Sequence, residues 1–173
     1  MKQIELLRDR EIYEKVIQGA VPLAQKFVWI ATADIKDLYV NEGRKMVPFL
    51  KVLDRLLEEG VNVRIIHAKE PGGIFLREFD RFPFLIKNLE RMLCPRMHFK
   101  AVAVDGILAY TGSANLTGAG MGAKSPARRN FELGIITTDK ELIGEIMQEF
   151  DSVWNGSRCA KCGRKQYCPD PID

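Results

Sequence analysis

Hydrophobic positions along the chain follow two different periods, which predict strands and helices in alternation. Residues 26–32 (KFVWIAT) and 61–67 (VNVRIIH) are short runs of branched and aromatic side chains, typical of buried strands. Between them, residues 44–59 carry large apolar side chains at spacings of three and four, which predicts an amphipathic helix ended by Gly60. A strand, a helix and a strand in this order predict a parallel βαβ unit.

The second half of the chain predicts a hairpin. Residues 97–104 and 107–112 are strand-like runs, and Asp105-Gly106 between them favours a tight two-residue turn. The other predicted elements are helices at 10–20, at 74–93 with a break near Pro83 and at 138–154, and a strand at 131–137. The pattern therefore predicts an α/β fold: a mixed β-sheet flanked by helices on both faces, over residues 1–156. Residues 157–173 lack periodicity, and we expect a small Cys-rich C-terminal appendage there.

Composition narrows the class of protein. The 173 residues are 46% hydrophobic and 28% charged, which argues against a disordered or fibrous chain. The formal net charge of +3 permits a polyanionic partner without requiring one. No apolar run approaches the ~18 residues of a transmembrane segment, and the first residues lack an apolar signal-peptide core. We therefore expect a cytoplasmic protein, whose four cysteines are metal ligands or thiols more readily than a disulfide framework.

Four polar side chains are predicted to meet on the hairpin. His98 and Lys100 are two residues apart on a strand and so share one face. A two-residue turn would place Thr111 opposite Lys100 and Ser113 opposite His98, with Asn115 on the same face. An imidazole, an ammonium, a hydroxyl and a carboxamide together suit phosphate chemistry, which needs a nucleophile or acid, a cation and neutral donors.

A carboxylate on the last predicted strand completes this group. Alternation places Glu132 on the polar face of residues 131–137. If Glu132 meets His98, it would accept a ring N–H, fix the tautomer and stabilise the imidazolium.

At these positions the sequence resembles the phospholipase D superfamily. That family's motif is H-x-K-x(4)-D-x(6)-G-S-x-N, and the resemblance covers roughly residues 26–154 with one copy of the motif. The matching residues are His98, Lys100, Asp105, Gly112, Ser113 and Asn115, followed by Leu116-Thr117 and by NFELG at 130–134. Single-motif chains of this kind are similar to the small bacterial endonucleases and mitochondrial-type members of the family.

The resemblance implies a mechanism without a catalytic metal. One histidine attacks the phosphorus to give a phosphohistidine, and a second protonates the leaving oxygen and then activates water. Because a single-motif chain has one such histidine, we expect a twofold homodimer with the active site across the axis. Lys100 and Asn115 would hold phosphate oxygens, Ser113 would support them or the water, and Glu132 would orient His98. Asp105 would hold the turn, beyond direct reach of phosphate.

A long loop after the motif bears on the substrate. It carries Lys124, Arg128 and Arg129, and no acidic residue lies between Asn115 and Phe131. Cations beside a phosphate site favour nucleic acid as substrate. The alternative is an ordinary solvated loop with surface charge, which would have the same composition. Two alternatives stay open: a phospholipase or other small phosphodiesterase, and a nucleic-acid-binding module that uses the same phosphate pocket without turnover.

The cysteines form a separate group. Cys159, Cys162 and Cys168 lie in a C-x2-C-x5-C pattern, and Cys94 precedes the motif strand. Four thiolates predict a structural zinc site, close to the chemistry but outside it. The spacing also resembles three ligands of the iron–sulfur loop in helix-hairpin-helix DNA glycosylases. Redox-active, disulfide-linked or inert cysteines are the remaining interpretation.

Overall fold

The computed structural model describes residues 3–172 and contains nine strands and five helices within that range. The strands are β1 (Ile4–Arg8), β2 (Phe27–Thr32), β3 (Tyr39–Glu42), β4 (Lys45–Pro48), β5 (Asn62–His67), β6 (Glu90–Leu93), β7 (Lys100–Val104), β8 (Leu108–Gly112) and β9 (Leu133–Thr137). The helices are α1 (Arg10–Ile12, continued by a π-helical segment Tyr13–Ala20 and a 3-10 turn Val21–Leu23), α2 (Phe49–Glu58), α3 (Gly73–Phe79), α4 (Pro83–Asn88) and α5 (Lys140–Trp154).

Seven of the strands form one mixed sheet in the order β1-β9-β8-β7-β2-β5-β6. Strands β2, β5 and β6 are parallel to one another, and every other neighbouring pair in this sheet is antiparallel. The predicted parallel pair of residues 26–32 and 61–67 is confirmed, since Phe27 pairs with Asn62 and Thr32 with His67. The predicted mixed sheet is therefore confirmed.

Helices cover both faces of the sheet, as predicted. On one face, α1, α2 and α4 pack their apolar side chains against Val28, Ile30, Val63 and Ile65. On the other face, Phe150 and Val153 of α5 pack against neighbouring positions of β2, β5 and β7. No described helix has the length and apolar content needed to cross a membrane.

Two predicted helices are shorter than their patterns indicated. The helix predicted at 44–59 begins at Phe49, because Lys45–Pro48 pairs with β3 in a small hairpin whose turn contains Gly43 at φ 65°. The helix predicted at 74–93 ends at Asn88, because Glu90–Leu93 pairs with β5 as an edge strand. In both cases strand pairing between segments overrides the local apolar pattern.

The predicted register of the central hairpin is wrong by one residue. Val104 pairs with Leu108 and Lys100 pairs with Gly112, so the turn holds three residues and Thr111 lies opposite Ala101. The cause is a turn with two left-handed positions, Asp105 at φ 55° and Gly106 at φ 68°, followed by an unpaired Ile107. The strand also begins at Lys100 and not at residue 97, so His98 precedes the sheet.

The sequence patterns missed two further strands. Ile4–Arg8 forms β1, which pairs with β9 at the edge of the large sheet, and Tyr39–Glu42 forms β3. The last strand is shorter than predicted, since Phe131 and Glu132 lie outside β9. Residues 157–172 form turns and a 3-10 segment at Lys165–Tyr167, and the division of the chain at residue 156 stays a prediction.

Asp105 ties the hairpin turn to the start of β2. Its carboxylate accepts hydrogen bonds from the backbone amides of Gln25 (2.8 Å), Lys26 (2.8 Å) and Phe27 (2.9 Å). Burial by itself would raise the pKa of this carboxyl, but the three amide donors outweigh it and leave the pKa of Asp105 below its usual value. Asp105 thus fixes the turn end of β7, and Lys100 lies at the opposite end of the same strand.

We expect Asp105→Asn to lower the free energy of unfolding by about 1–3 kcal/mol at pH 7, because its NH2 group would face the Gln25 amide. Because the folded pKa is lowered, this stabilisation is present above the ordinary Asp pKa and disappears as the pH falls through the folded pKa. Urea unfolding should therefore show a difference in the free energy of unfolding between wild type and variant at pH 7 that becomes smaller at about pH 2. Asp80→Ala, at an exposed site, is the control; a gap that does not depend on pH would contradict the assignment.

Candidate active site

Lys100 places a buried cation at the start of β7. Its side chain is 8% exposed, and its Nζ donates to the carbonyl of His98 at 2.6 Å. An ammonium has three hydrogens to donate, and Lys100 forms no ion pair with any described residue. A buried ammonium without a counter-charge is unfavourable, so this position favours an anionic ligand.

His98 lies two residues before Lys100 and is exposed to solvent. Among residues 3–172, no side chain forms a hydrogen bond with its ring. The backbone carbonyl of His98 accepts a hydrogen bond from Lys100 Nζ, so the backbone of His98 is held at the ammonium. The ring is free to meet a ligand in solution.

Ser113 and Glu132 are brought together across the end of β8. The Ser113 hydroxyl donates to the Glu132 carboxylate, and the Leu133 amide donates to Ser113 Oγ at 3.1 Å. Asn130 Nδ2 donates to the other carboxylate oxygen at 3.0 Å. Glu132 therefore contacts Ser113 and Asn130 in this chain, not His98, and its predicted role in orienting His98 stays a prediction.

Asp9 fixes the segment that carries Glu132. The Glu132 amide donates to Asp9 Oδ1 at 2.8 Å, and the Asp9 amide donates to the Glu132 carbonyl at 3.0 Å. Asp9 has a positive φ of 44°, which this paired contact holds in place. The sequence patterns missed Asp9, because it follows a strand that they did not detect.

Asn115 is oriented by the end of β2. Its Oδ1 accepts from the amides of Ala33 and Asp34, both at 3.2 Å, and lies 3.4 Å from Thr32 Oγ1. Thr32 in turn accepts from the Leu116 amide at 3.0 Å. With Oδ1 occupied, Nδ2 has no acceptor in the described part of the chain and can donate to a ligand oxygen. Thr32 therefore supports the Asn115 segment.

Steric contacts explain why position 112 of the motif is a glycine. It pairs with Gly134 on β9, and the Tyr110 ring packs against both. A Cβ on Gly112 would lie 2.5 Å from the Tyr110 hydroxyl oxygen and 2.6 Å from the Leu133 carbonyl oxygen. Burial raises the pKa of Tyr110 to about 12, so this ring stays neutral beneath the site. Because neither Gly112 nor Gly134 has a side chain, β8 and β9 can lie close to the Tyr110 ring, next to the contact between Ser113 and Glu132.

The basic loop is partly engaged with the rest of the chain. Lys124 lies 3.9 Å from Asp37, while the exposed Arg128 makes no ion pair with any residue between 3 and 172. Arg128 and Arg129 follow a turn in which both amides donate to the Ser125 carbonyl. The Asn130 amide at the end of this loop donates to Ala119, so the loop is folded back beside the Ser113–Glu132 contact.

The four cysteines line one cavity, and the metal site predicted for them stays a prediction. Cys94, Cys159, Cys162 and Cys168 are free thiols. Across residues 3–172, no three His, Cys, Asp or Glu side chains are grouped so that they could hold a metal ion. In this cavity the Arg96 guanidinium donates to Cys162, which lowers the pKa of that thiol, and Cys168 Sγ lies 3.9 Å from the Leu93 carbonyl oxygen.

His67, the second histidine of the chain, is fully buried. Its Nδ1 lies 2.8 Å from the Lys69 carbonyl oxygen, which favours the Nδ1–H tautomer. Burial lowers the pKa of His67, so the ring is neutral at pH 7. Its Nε2 has no hydrogen-bond partner among the described residues. Its burial keeps His67 away from any substrate.

Comparison with known proteins extends this picture. Residues 19–154 match the family model described as cardiolipin synthase, phospholipase D-like domain. Comparison with curated protein sequences gives no match.

Solved structures show similar folds. NucT from Helicobacter pylori has 18% identity and a TM-score of 0.65, with 87% of this chain and 94% of that chain covered. Nuc from Salmonella typhimurium, a phospholipase D family member, has 16% identity and a TM-score of 0.64, covering 88% and 93%. TrmBL2, an archaeal chromatin protein with a novel mode of DNA binding, has 14% identity and a TM-score of 0.58, covering 88% of this chain and 52% of that chain. Each shares the fold with this chain.

We expect Thr32→Val to lower the free energy of unfolding by about 1–3 kcal/mol, because valine leaves the buried Leu116 amide without an acceptor. Thr32→Ser, which keeps the hydroxyl, should lose about 1 kcal/mol at most. Urea unfolding followed by tryptophan fluorescence measures both. If valine and serine cost the same, the hydroxyl does not hold the Asn115 segment.

Proposed function

Because this chain belongs to the family of cardiolipin synthase, phospholipase D-like domains, we propose that it hydrolyses phosphodiester bonds in nucleic acid. The proposed reaction passes through a phosphohistidine in a homodimer. The observation that carries the proposal is the buried Lys100 ammonium, which has no counter-charge in the described chain and bonds to the backbone of the exposed His98. A phosphodiester would supply the missing negative charge.

Each site residue has its own role in the proposed reaction. Lys100 Nζ and Asn115 Nδ2 would each bind a nonbridging phosphate oxygen, which draws electron density from phosphorus. The neutral His98 ring of one protomer would attack phosphorus, forming a P–N bond as the P–O bond to the leaving group breaks. The protonated His98 of the other protomer would give its proton to that leaving oxygen. It would then take a proton from water as water breaks the P–N bond.

A second chain is needed to supply the second imidazole. The chain contains two histidines, and the buried His67 cannot reach a substrate. A two-histidine reaction therefore requires His98 from two copies, related by a twofold axis. The two rings must begin in opposite protonation states, which gives a bell-shaped dependence of rate on pH.

An uncovered apolar face beside the site suits such a dimer. Leu6 on β1 pairs with Ile135 on β9, so these side chains share one sheet face with Leu133 and Ile4. Helix α5 covers this face over β7 but leaves Ile4, Leu6 and Leu133 about half exposed. Phe131, next to Glu132, is 96% exposed. Exposed apolar side chains grouped on one sheet face, here beside Arg8, are typical of protein interfaces, and Leu133 adjoins the Ser113–Glu132 contact.

Nucleic acid is favoured over phospholipid as the substrate by the basic loop. Arg128 is exposed and unpaired within the described chain, beside the strand ends that carry Ser113 and Glu132. An extended polyanion can engage cations outside the phosphate being cleaved. TrmBL2, which shares the fold, is described as binding DNA. A phosphatidylserine synthase from Haemophilus influenzae Rd KW20 also shares it, at 21% identity and a TM-score of 0.59, over 87% of this chain and 38% of that chain, which keeps phospholipid as the alternative.

We expect His98→Ala to lower kcat for a phosphodiester by about 10³-fold or more without changing the unfolding midpoint, because the ring is exposed. Acid-quenched wild-type enzyme with a slow, phosphorus-labelled substrate should carry label on His98. Binding of oligonucleotide without cleavage or adduct would instead identify a binding module. His98→Ala activity near that of wild type would remove the mechanism.

The same variant tests the shared site. After subunit exchange between wild-type protein and His98→Ala, the remaining activity should be proportional to the square of the wild-type fraction, since each active dimer needs both rings. A linear loss would show that each chain acts alone. Light scattering of the wild type supplies the oligomeric state independently.

We expect Arg128→Ala to raise KM for an oligonucleotide several-fold and to reduce the salt dependence of binding by about one unit in slope. Turnover of a small chromogenic phosphodiester should not change. Lys140→Ala, which removes a cation at the far end of β9, is the matched control. Single-stranded and duplex nucleic acid are compared with phospholipid vesicles at two salt concentrations; cleavage of the vesicles alone would overturn the substrate assignment.

A further inference from the structure

All four cysteines of the chain open into one cavity of ≈ 100 Å³, away from the phosphate site. Cys94 comes from the segment between β6 and His98, and the other three come from the turns after α5. The cavity floor is apolar and includes Met97, Phe99 and Val153. Cys94 is 65 to 74 positions away from the other three cysteines in sequence, and the fold brings all four to one pocket.

The C-terminal segment is docked onto this pocket by specific contacts. The Asp170 carboxylate accepts from the Leu93 amide at 2.7 Å, and the Cys94 amide donates to the His67 carbonyl at 2.8 Å. Cys94 is therefore fixed to the edge of the large sheet, and Asp170 holds the end of the tail beside it. Close to this anchor, Cys168 lines the same cavity as Cys94 and Cys159.

Basic side chains and backbone amides surround the sulfurs. The Arg164 amide and the Arg96 guanidinium donate to Cys162, and the Asp170 amide donates to Cys168. Arg96, Arg164 and Lys165 line the cavity together with Arg158, which also pairs with Glu149. The lining contains no acidic side chain. Four thiolates around one Zn²⁺ leave two net negative charges, and these cations would balance them.

From this placement we propose that Cys94, Cys159, Cys162 and Cys168 bind one structural zinc ion. Four cysteine ligands make a closed tetrahedral site with Zn–S distances of about 2.3 Å, which leaves no open position for substrate or water. Among the described residues the sulfurs are not grouped for coordination, so binding requires the Cys162 and Cys168 side chains to turn away from Arg96 and Leu93. Each ligand loses its proton to solvent as the Zn–S bond forms.

Such a site would cross-link two distant parts of the fold. It joins the tail to Cys94, four residues before His98, so the loop that presents the imidazole would be anchored at both ends: by zinc at Cys94 and by β7 at Lys100. The zinc would act on stability and on the rigidity of this loop. The proposal does not depend on the substrate of the phosphate site.

Metal content of the full-length protein tests the proposal directly. Protein purified from zinc-supplemented culture should contain one zinc per chain by elemental analysis. Cys94→Ser and Cys159→Ser should each lose the metal and unfold at least about 5 °C lower than wild type. Lys161→Ala, between two ligands, is the matched control and should keep both the metal and the unfolding midpoint.

A measurement on the wild type guards against variants that fail to fold. Removing the metal with a strong chelator under reducing conditions should lower the unfolding midpoint, and added Zn²⁺ should restore it. Co²⁺ in place of zinc should give the intense visible absorption of a tetrahedral thiolate site. Protein without stoichiometric metal, a disulfide among the four cysteines, or bound iron with visible absorption would each overturn the zinc assignment. Because the readouts are metal content and unfolding, failure here leaves the phosphodiesterase proposal standing.

Discussion

The position of one buried cation organises the functional end of this protein. Strand β7 is buried along its whole length and hydrogen-bonds with β2 on one side and β8 on the other. Lys100 begins that strand, so its ammonium is held where the protein provides a carbonyl acceptor but no carboxylate among the described residues. Burying a charge in this way is costly, and the cost falls when an anion binds. The rest of the candidate site is arranged around this point.

Each of the other groups is held by a support that lies outside the motif. Asn115 is oriented by the backbone after β2, and Glu132 is held by Asp9 at the end of β1. These supports come from segments far apart in sequence, which meet because β1, β9, β8, β7 and β2 are neighbours in one sheet. A site that must place donors to within a fraction of an ångström is better built on packed strands than on loops alone. His98, the reactive group, stays exposed and unpaired among the described residues.

The proposed function depends on surfaces as well as on the site. The proposed dimer rests on two independent observations: His67 is buried while His98 is exposed, and the apolar side chains around Leu133 are about half exposed. The basic loop and the cysteine cavity lie on different parts of the chain and would serve different purposes. One would hold the substrate outside the cleaved phosphate, and the other would fasten the C-terminal tail to the segment before His98.

The sequence by its local patterns predicted a chemistry for the site and predicted the architecture correctly. The spacing of His98, Lys100, Asp105, Gly112, Ser113 and Asn115 predicted a phosphate site, and the alternating periods predicted the mixed sheet with helices on both faces. Both are local patterns, because motif spacing and hydrophobic period are written in neighbouring residues. Tertiary structure decided what depends on pairing between segments. Two left-handed residues in the turn shifted the hairpin register by one, so that Gly112 and not Thr111 lies opposite Lys100. Residues that looked helical at 45–48 and 90–93 became strands because a partner edge was available. The supporting roles of Asp9 and Thr32 could be seen only once their distant partners were in place, since a hydrogen bond between residues 123 positions apart leaves no periodic trace in the chain.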